Sequence, residues 1–231
     1  MNEINITNGE EFNNYIKTKL NAKFIPFNEA MIDGNPIYPL FDEKFIQERC
    51  KTHRVTIRQY QDVLKEFIDF KNNMNRYTSI NLWFGKELFC QLNLLTVLAY
   101  LEQEKYQGKI YLIIIDDNNK KIIKEKEEII LQHFINVYQN LFLNKRITKT
   151  NYYYLDKALK EYIKLNQDNP IIQYIRDNSL KLDKKKLFEN VWDMTREYGF
   201  GDIQVKNYIE KHSNIKYWER NKIVPFYPIS Y

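Results

Sequence analysis

The sequence predicts an α/β protein: a mainly parallel, Rossmann-like sheet with flanking helices, followed by a helical C-terminal domain. Three observations carry this. Short apolar runs alternate with helix-length segments through the first half of the chain. The run Ile110 to Ile115 is apolar at every position, as a strand covered on both faces requires. The stretch 79–101, SINLWFGKELFCQLNLLTVLAYL, reads as an apolar strand, a turn at Gly85 and a helix apolar nearly all round, which makes a βα unit. From Thr148 onward only helical spacing remains, so two regions are expected, an α/β sheet domain over 1–145 and a helical domain over 146–231.

Each element has its own signals. Glu3 to Thr7 is a short strand with Ile4 and Ile6 on one face. Asn8-Gly9 turns the chain, and Glu10 to Leu20 forms a helix whose acidic first turn suits the helix dipole. Lys23 to Phe27 is a second strand, ending at Asn28-Glu29, and Asp33 to Pro39 is too rich in breakers for regular structure. Asp42 caps a helix to about His53, and Thr56 caps another from Ile57 to about Asn73. Ile80 to Phe84 and Ile110 to Ile115 are the third and fourth strands. Asp116 to Asn119 then turns, and Glu127 to Phe142 has the pattern of an amphipathic helix. Helices follow over 151–165, 170–177, 183–198 and 202–212, with Gly199 as a C-cap and Asp202 as an N-cap. The apolar tail from Ile223 to Pro228 is expected to be extended and to pack back on the body.

Composition excludes several classes. The chain has 231 residues, with 18 Tyr and 14 Phe, and a formal net charge of +5 from 35 basic and 30 acidic side chains. That mild basic excess permits nucleic-acid contact without arguing for it. The two cysteines, Cys50 and Cys90, form no CxxC or Cys/His cluster, so no zinc site is expected. The N-terminus has no apolar signal core, and no apolar run reaches the ~20 residues that span a bilayer. A soluble cytoplasmic protein with no membrane partner is expected. His53, His133 and His212 fall on separate helices or helix ends and read as structural or surface groups.

These residues resemble a bacterial family, domain of unknown function family 1835, often paired with a companion C-terminal helical domain. The likeness rests on Asn8-Gly9-Glu10, on Phe27-Asn28-Glu29-Ala30 with Gly34-Asn35-Pro36, and on Leu82-Trp83-Phe84 followed by Glu87, Gln91-Leu92 and the leucine-rich helix. Arg146-Ile147-Thr148, Asp168-Asn169-Pro170 and Gly199-Phe200-Gly201-Asp202 extend it past the middle. The chain departs from the family pattern at Gly85-Lys86, and a long segment before the last helices is compressed into Leu180 to Lys186. The resemblance implies the fold more than a function.

Ligands of open α/β sheets bind beyond the carboxyl ends of the strands. The candidates there are Asn8, Gly9, Glu10, Trp83, Lys86 and Gln91 for ligand binding, and Glu29 with Glu87 as an acid and base pair. Asn8, Glu10, Asp116 and Asp117 also suit plain turn and cap chemistry. Glu87 and Gln91, four apart, are expected to share a helix face and to hydrogen-bond each other. No GxGxxG or Walker pattern is present, and an edge lined by carboxylates repels phosphate, so the expected ligand is a small polar molecule bearing hydroxyl or amine groups. The sequence singles out no cofactor, no metal and no oligomeric state, and leaves open whether there is catalysis. The alternatives are a transcriptional regulator or nucleic-acid-binding protein using Lys181, Lys184, Lys185, Lys186 and Arg196 of the C-terminal helices, and a structural or partner-binding protein.

Overall fold

Strands β1 (Glu3–Asn8), β2 (Phe24–Phe27), β3 (Ser79–Gly85), β4 (Lys109–Asp116) and β5 (Lys121–Ile129) form one sheet in the order β2-β1-β3-β4-β5. This computed structural model describes residues 2–116 and 119–218. β1 pairs in parallel with both β2 and β3, and β3 with β4, as the alternation of strand and helix predicts. β3 lies in the middle of the sheet, with Ile80 opposite Ile4 on one side and Ile110 on the other.

The period of two along each strand sorts the side chains. Ile4, Ile6, Ile25, Phe27, Ile80, Leu82, Phe84, Ile110, Leu112 and Ile114 enter the main core. Phe24, Ile113, Ile115 and Trp83 form a smaller cluster on the other face with Phe12 and Ile16 of α1 (Glu10–Lys17). The central helix α5 (Leu88–Gln103) contacts β1 and β3 as well as α6 (Phe134–Phe142) and α7 (Tyr153–Leu165). Its residues from Cys90 to Leu101 are all buried, which explains why its sequence shows no polar face. The main core continues through Leu155, Leu159, Ile172, Leu187, Val191, Val205 and Ile209 of the C-terminal helices.

The segment after β4 differs from what its sequence predicts. The segment from Glu127 does not enter a helix; 121–129 is strand β5, antiparallel to β4, and α6 begins only at Phe134. β5 is exposed along nearly its whole length and charged on both faces. A solvated edge strand of this kind needs no apolar alternation, and its charges discourage pairing with another sheet edge. Of the turn before it, residues 117–118 lie outside the described residues.

The helix starts follow their capping chemistry. Asp42 Oδ1 accepts from the Phe45 amide at 2.7 Å to open α2 (Glu43–His53). Thr56 and Gln59 form a capping box at α3 (Ile57–Val63). The single helix expected there breaks at Leu64 and resumes as α4 (Lys65–Asn73). Asn169 and Asp183 cap α8 (Pro170–Asn178) and α9 (Lys184–Thr195). At α10 (Asp202–His212) Gly201, not Asp202, holds the cap position, and its amide donates to Gln204 Oε1 at 3.2 Å. The tail from Ile223 to Pro228 lies outside the described residues. Among the described residues no helix is long and apolar enough to cross a membrane.

Candidate functional site at the carboxyl edge of the sheet

The strand order reverses between β1 and β3, so the connections that leave these two strands diverge, the arrangement that in open α/β sheets makes a crevice beyond the carboxyl ends. Six of the expected site residues collect there. Asn8 ends β1; its Nδ2 donates to Cys90 Sγ at 3.0 Å and its Oδ1 accepts from Asn93 Nδ2 at 2.8 Å. Gly9 turns the chain at φ +82°, where a Cβ would meet nothing within 4 Å, so the backbone borders open space. Glu10 accepts from Asn28 Nδ2 at 3.4 Å. Across the crevice, Lys86 pairs with Asp116 at 3.2 Å, a bond that raises the pKa of the amine. Glu87 takes the cap position of α5. The Gly199 turn, at φ +72°, packs against it so closely that a Cβ on Gly199 would lie 2.9 Å from Glu87 Cβ. Gln91 is buried in the first turns of α5, and its amide donates not to Glu87 but to the Gly85 carbonyl at 2.5 Å. Gln91 Oε1 and Asn28 Oδ1 are buried with no hydrogen-bond partner among the described residues.

Trp83 and Glu29 are not brought into this crevice. Trp83 stands on the opposite face of the sheet, because its neighbours Leu82 and Phe84 take the core face and a strand alternates. Its indole donates to Asn5 Oδ1 at 3.0 Å and packs with Phe12 and Phe24, at 6.3 and 6.0 Å between ring centroids. It is a partly buried residue packed against the smaller cluster, on the face away from the main core.

Glu29 turns inward. Its carboxylate accepts from Arg49 Nε at 3.2 Å, Arg49 Nη2 at 2.8 Å, Tyr60 Oη at 2.5 Å and the Ala30 amide at 2.8 Å, and lies 2.8 Å from His53 Nε2. Neither the Glu29 nor the Arg49 side chain has any exposed surface. Burial alone would push the Glu29 pKa up, but the charges and hydrogen bonds of Arg49 and His53 outweigh it and hold the carboxyl well below its usual range. A carboxylate fixed as an anion, sealed from solvent and filled with donors, is a structural anchor and not a general acid or base. The acid and base pair expected of Glu29 and Glu87 is therefore not formed around one open cavity.

The rest of this clamp escaped the sequence reading. Arg49 and His53 are four apart on α2, the spacing that puts two side chains on one helix face, and that was the available signal. Burial lowers the His53 pKa against the pull of Glu29 and raises that of Tyr60 well above its ordinary value. Asn93, a polar residue in an apolar helix, ties the clamp to the crevice: besides Asn8, its amide donates to the Glu29 carbonyl at 2.5 Å, and its Oδ1 accepts from the Met31 amide at 3.0 Å.

Comparison with protein-family models, with curated proteins and with solved structures returned no match. Among the described residues no group of three or more His, Cys, Asp or Glu is placed to hold a metal ion.

Proposed function

We propose that the protein binds a small polar molecule in the crevice between the carboxyl ends of β1 and β3. The observation that carries this reading is the reversal of strand order at that point, with Asn8, Gly9 and Glu10 on one lip and Lys86, Glu87 and Gln91 on the other. The chemistry of the lips favours a ligand with hydroxyl or amine donors. Glu10, Glu87 and Asp116 supply carboxylates, while Lys86 is paired with Asp116, so a phosphate would meet more repulsion than attraction. Any carboxylate-assisted chemistry would fall to Glu87, since Glu29 is sealed. Membership of family 1835 belongs to the same reading, supported by Asn8-Gly9-Glu10 and the Glu87 to Gln91 turn meeting at this crevice. A cytoplasmic setting fits the two cysteines, both buried and neither joined in a disulfide.

The test is a thermal-shift screen of hydroxyl- and amine-bearing metabolites, followed by calorimetry on Glu10→Gln and Glu87→Gln. Both variants should keep the wild-type unfolding midpoint and lose the ligand. Binding that survives in both, or a soaked crystal with the ligand away from Gly9 and Gln91, refutes the reading.

A further inference from the structure

A second cavity, separate from the crevice, lies between the loop after β2 and helix α10. It encloses about 340 Å³, at the lower end of the range of ligand pockets, and is lined among others by Asp33, Asn166, Gln204, Asn207, Tyr208 and Lys211. We propose that it takes a small zwitterion of the amino-acid type, its ammonium against Asp33 and its carboxylate against Lys211.

Asp33 is held rigidly. Its carbonyl accepts from Arg49 Nη1 at 2.6 Å, which fixes it to the buried clamp. The next residue, Gly34, sits at φ +75° and presses on α2 so closely that a Cβ would fall 2.1 Å from Thr52 Oγ1. The amides of Gln204 and Asn207 donate at 3.1 and 3.3 Å, but both to Oδ2, and Oδ1 accepts nothing from the described residues. The carboxylate is thus oriented by two neutral donors and neutralised by none of its side-chain partners.

Lys211 is its counterpart. The amine donates to Asn166 Oδ1 at 3.1 Å and makes no ion pair among the described residues, so donors remain for an incoming anion. Lys211 is exposed at the rim; partial loss of water around its amine lowers its pKa while Asp33 raises it, as two opposite charges across one space would. Glu210 and Arg54 at the rim are committed to each other: Glu210 pairs with Arg54 at 3.1 Å and accepts from the amides of Tyr217 and Trp218. Lys216 adds a second amine to the lining. An amine without an anionic group would be repelled by the two lysines, and a phosphate by Asp33. A molecule carrying both charges matches the lining, and Phe200 and Tyr208 offer its side chain an aromatic wall.

Isothermal titration calorimetry on the whole protein at neutral pH, with the common amino acids as probes, tests this. One or a few should bind. The matching amine without the carboxylate, the matching acid without the amine, and inorganic phosphate should each bind at least about tenfold more weakly, as should the zwitterion to Asp33→Asn and Lys211→Met. Circular dichroism checks that the variants fold. Lys211→Met removes only the bond to Asn166 and so stands as the test if Asp33→Asn loosens α10. No binding of any amino acid to the wild type, equal binding of phosphate or of the lone amine, or unchanged affinity in Lys211→Met overturns the proposal. Glu10→Gln and Glu87→Gln should leave this binding intact; its loss in them would assign the ligand to the crevice and overturn the second site.

Discussion

Replacing Arg49 by Met should be among the most damaging single changes to this protein. Methionine keeps most of the bulk, so the loss is electrostatic. The guanidinium gives two hydrogen bonds to Glu29, and one each to the carbonyls of Ala30 and Asp33, at 2.8 and 2.6 Å. Without it the Glu29 carboxylate is buried with no full counter-charge, a defect that costs about 3–5 kcal/mol. The two carbonyls left without their donor add about 1–3 kcal/mol each where they stay dry. Protonation of Glu29 relieves part of this, so a net loss of about 4 kcal/mol is expected, a large share of the ~5–15 kcal/mol that holds an ordinary domain folded.

The pH dependence makes the test sharp. In the wild type the folded pKa of Glu29 lies below its unfolded value of 4.5, so its contribution is present above that value and lost as pH falls below it. The folded pKa of His53 is also lowered, from 6.5, so stability begins to fall as pH drops below 6.5. In Arg49→Met burial acts on Glu29 with less opposition and its pKa rises. A raised carboxyl contributes stability below its unfolded pKa and loses it as pH rises. Urea unfolding followed by circular dichroism near pH 7.5 and near pH 5 should therefore show the deficit of Arg49→Met shrinking on acidification. Glu29→Gln/Arg49→Met should recover part of the loss, giving a favourable coupling in the double-mutant cycle. A deficit under about 1 kcal/mol, or one that does not change with pH, would refute the clamp as a source of stability.

Leu95 has no exposed surface at the centre of α5, and Leu95→Ala should cost about 2–5 kcal/mol in chemical denaturation. Burial, with Lys211 and Arg176 nearby, lowers the His212 pKa to about 4 from 6.5, so unfolding midpoints should drop as pH falls through that window and drop less in His212→Gln. Lys184 donates to the Lys216 carbonyl and Lys186 pairs with Glu189, so the lysine run is engaged locally. Duplex DNA should not bind even at low salt, and steeply salt-dependent binding lost on replacing Lys184, Lys185 and Lys186 by Gln would restore the regulator alternative.

The fold was legible where burial imposes a period. Ile110 to Ile115 and the helix after Gly85 must satisfy a dry environment on all sides, and their sequences say so. β5 was illegible for the opposite reason: nothing buries most of it, so nothing constrains its pattern. The caps at Asp42 and Thr56 were legible because a cap is local chemistry. The site was legible only as an edge. Position along the strands puts Asn8, Gly9, Glu10, Lys86, Glu87 and Gln91 at or just past the carboxyl ends of β1 and β3, but position says nothing of which way a side chain leaves the backbone. Trp83 went to the far face by parity with its neighbours, and Glu29 went inward because Arg49, more distant in sequence, drew it there. A long-range ion pair of that kind has no local signature.

The clamp also explains how a breaker-rich loop can position charged groups. Such a loop pays ordering entropy at every residue. Residues 28–34 offset it by being gripped from two directions: Asn93 holds the Glu29 carbonyl and the Met31 amide from α5, and Arg49 holds the Ala30 and Asp33 carbonyls from α2. Both grips come from well-packed helices, so the loop inherits their rigidity. The same Asn93 fixes Asn8 at the crevice, and the same Arg49 fixes Asp33 at the second cavity. Buried polar networks hold their members in one geometry because each unsatisfied alternative is expensive in a dry interior. A single network thus sets the geometry at both places, and the deeply buried charges of Glu29 and Arg49 act by holding the accessible ones still.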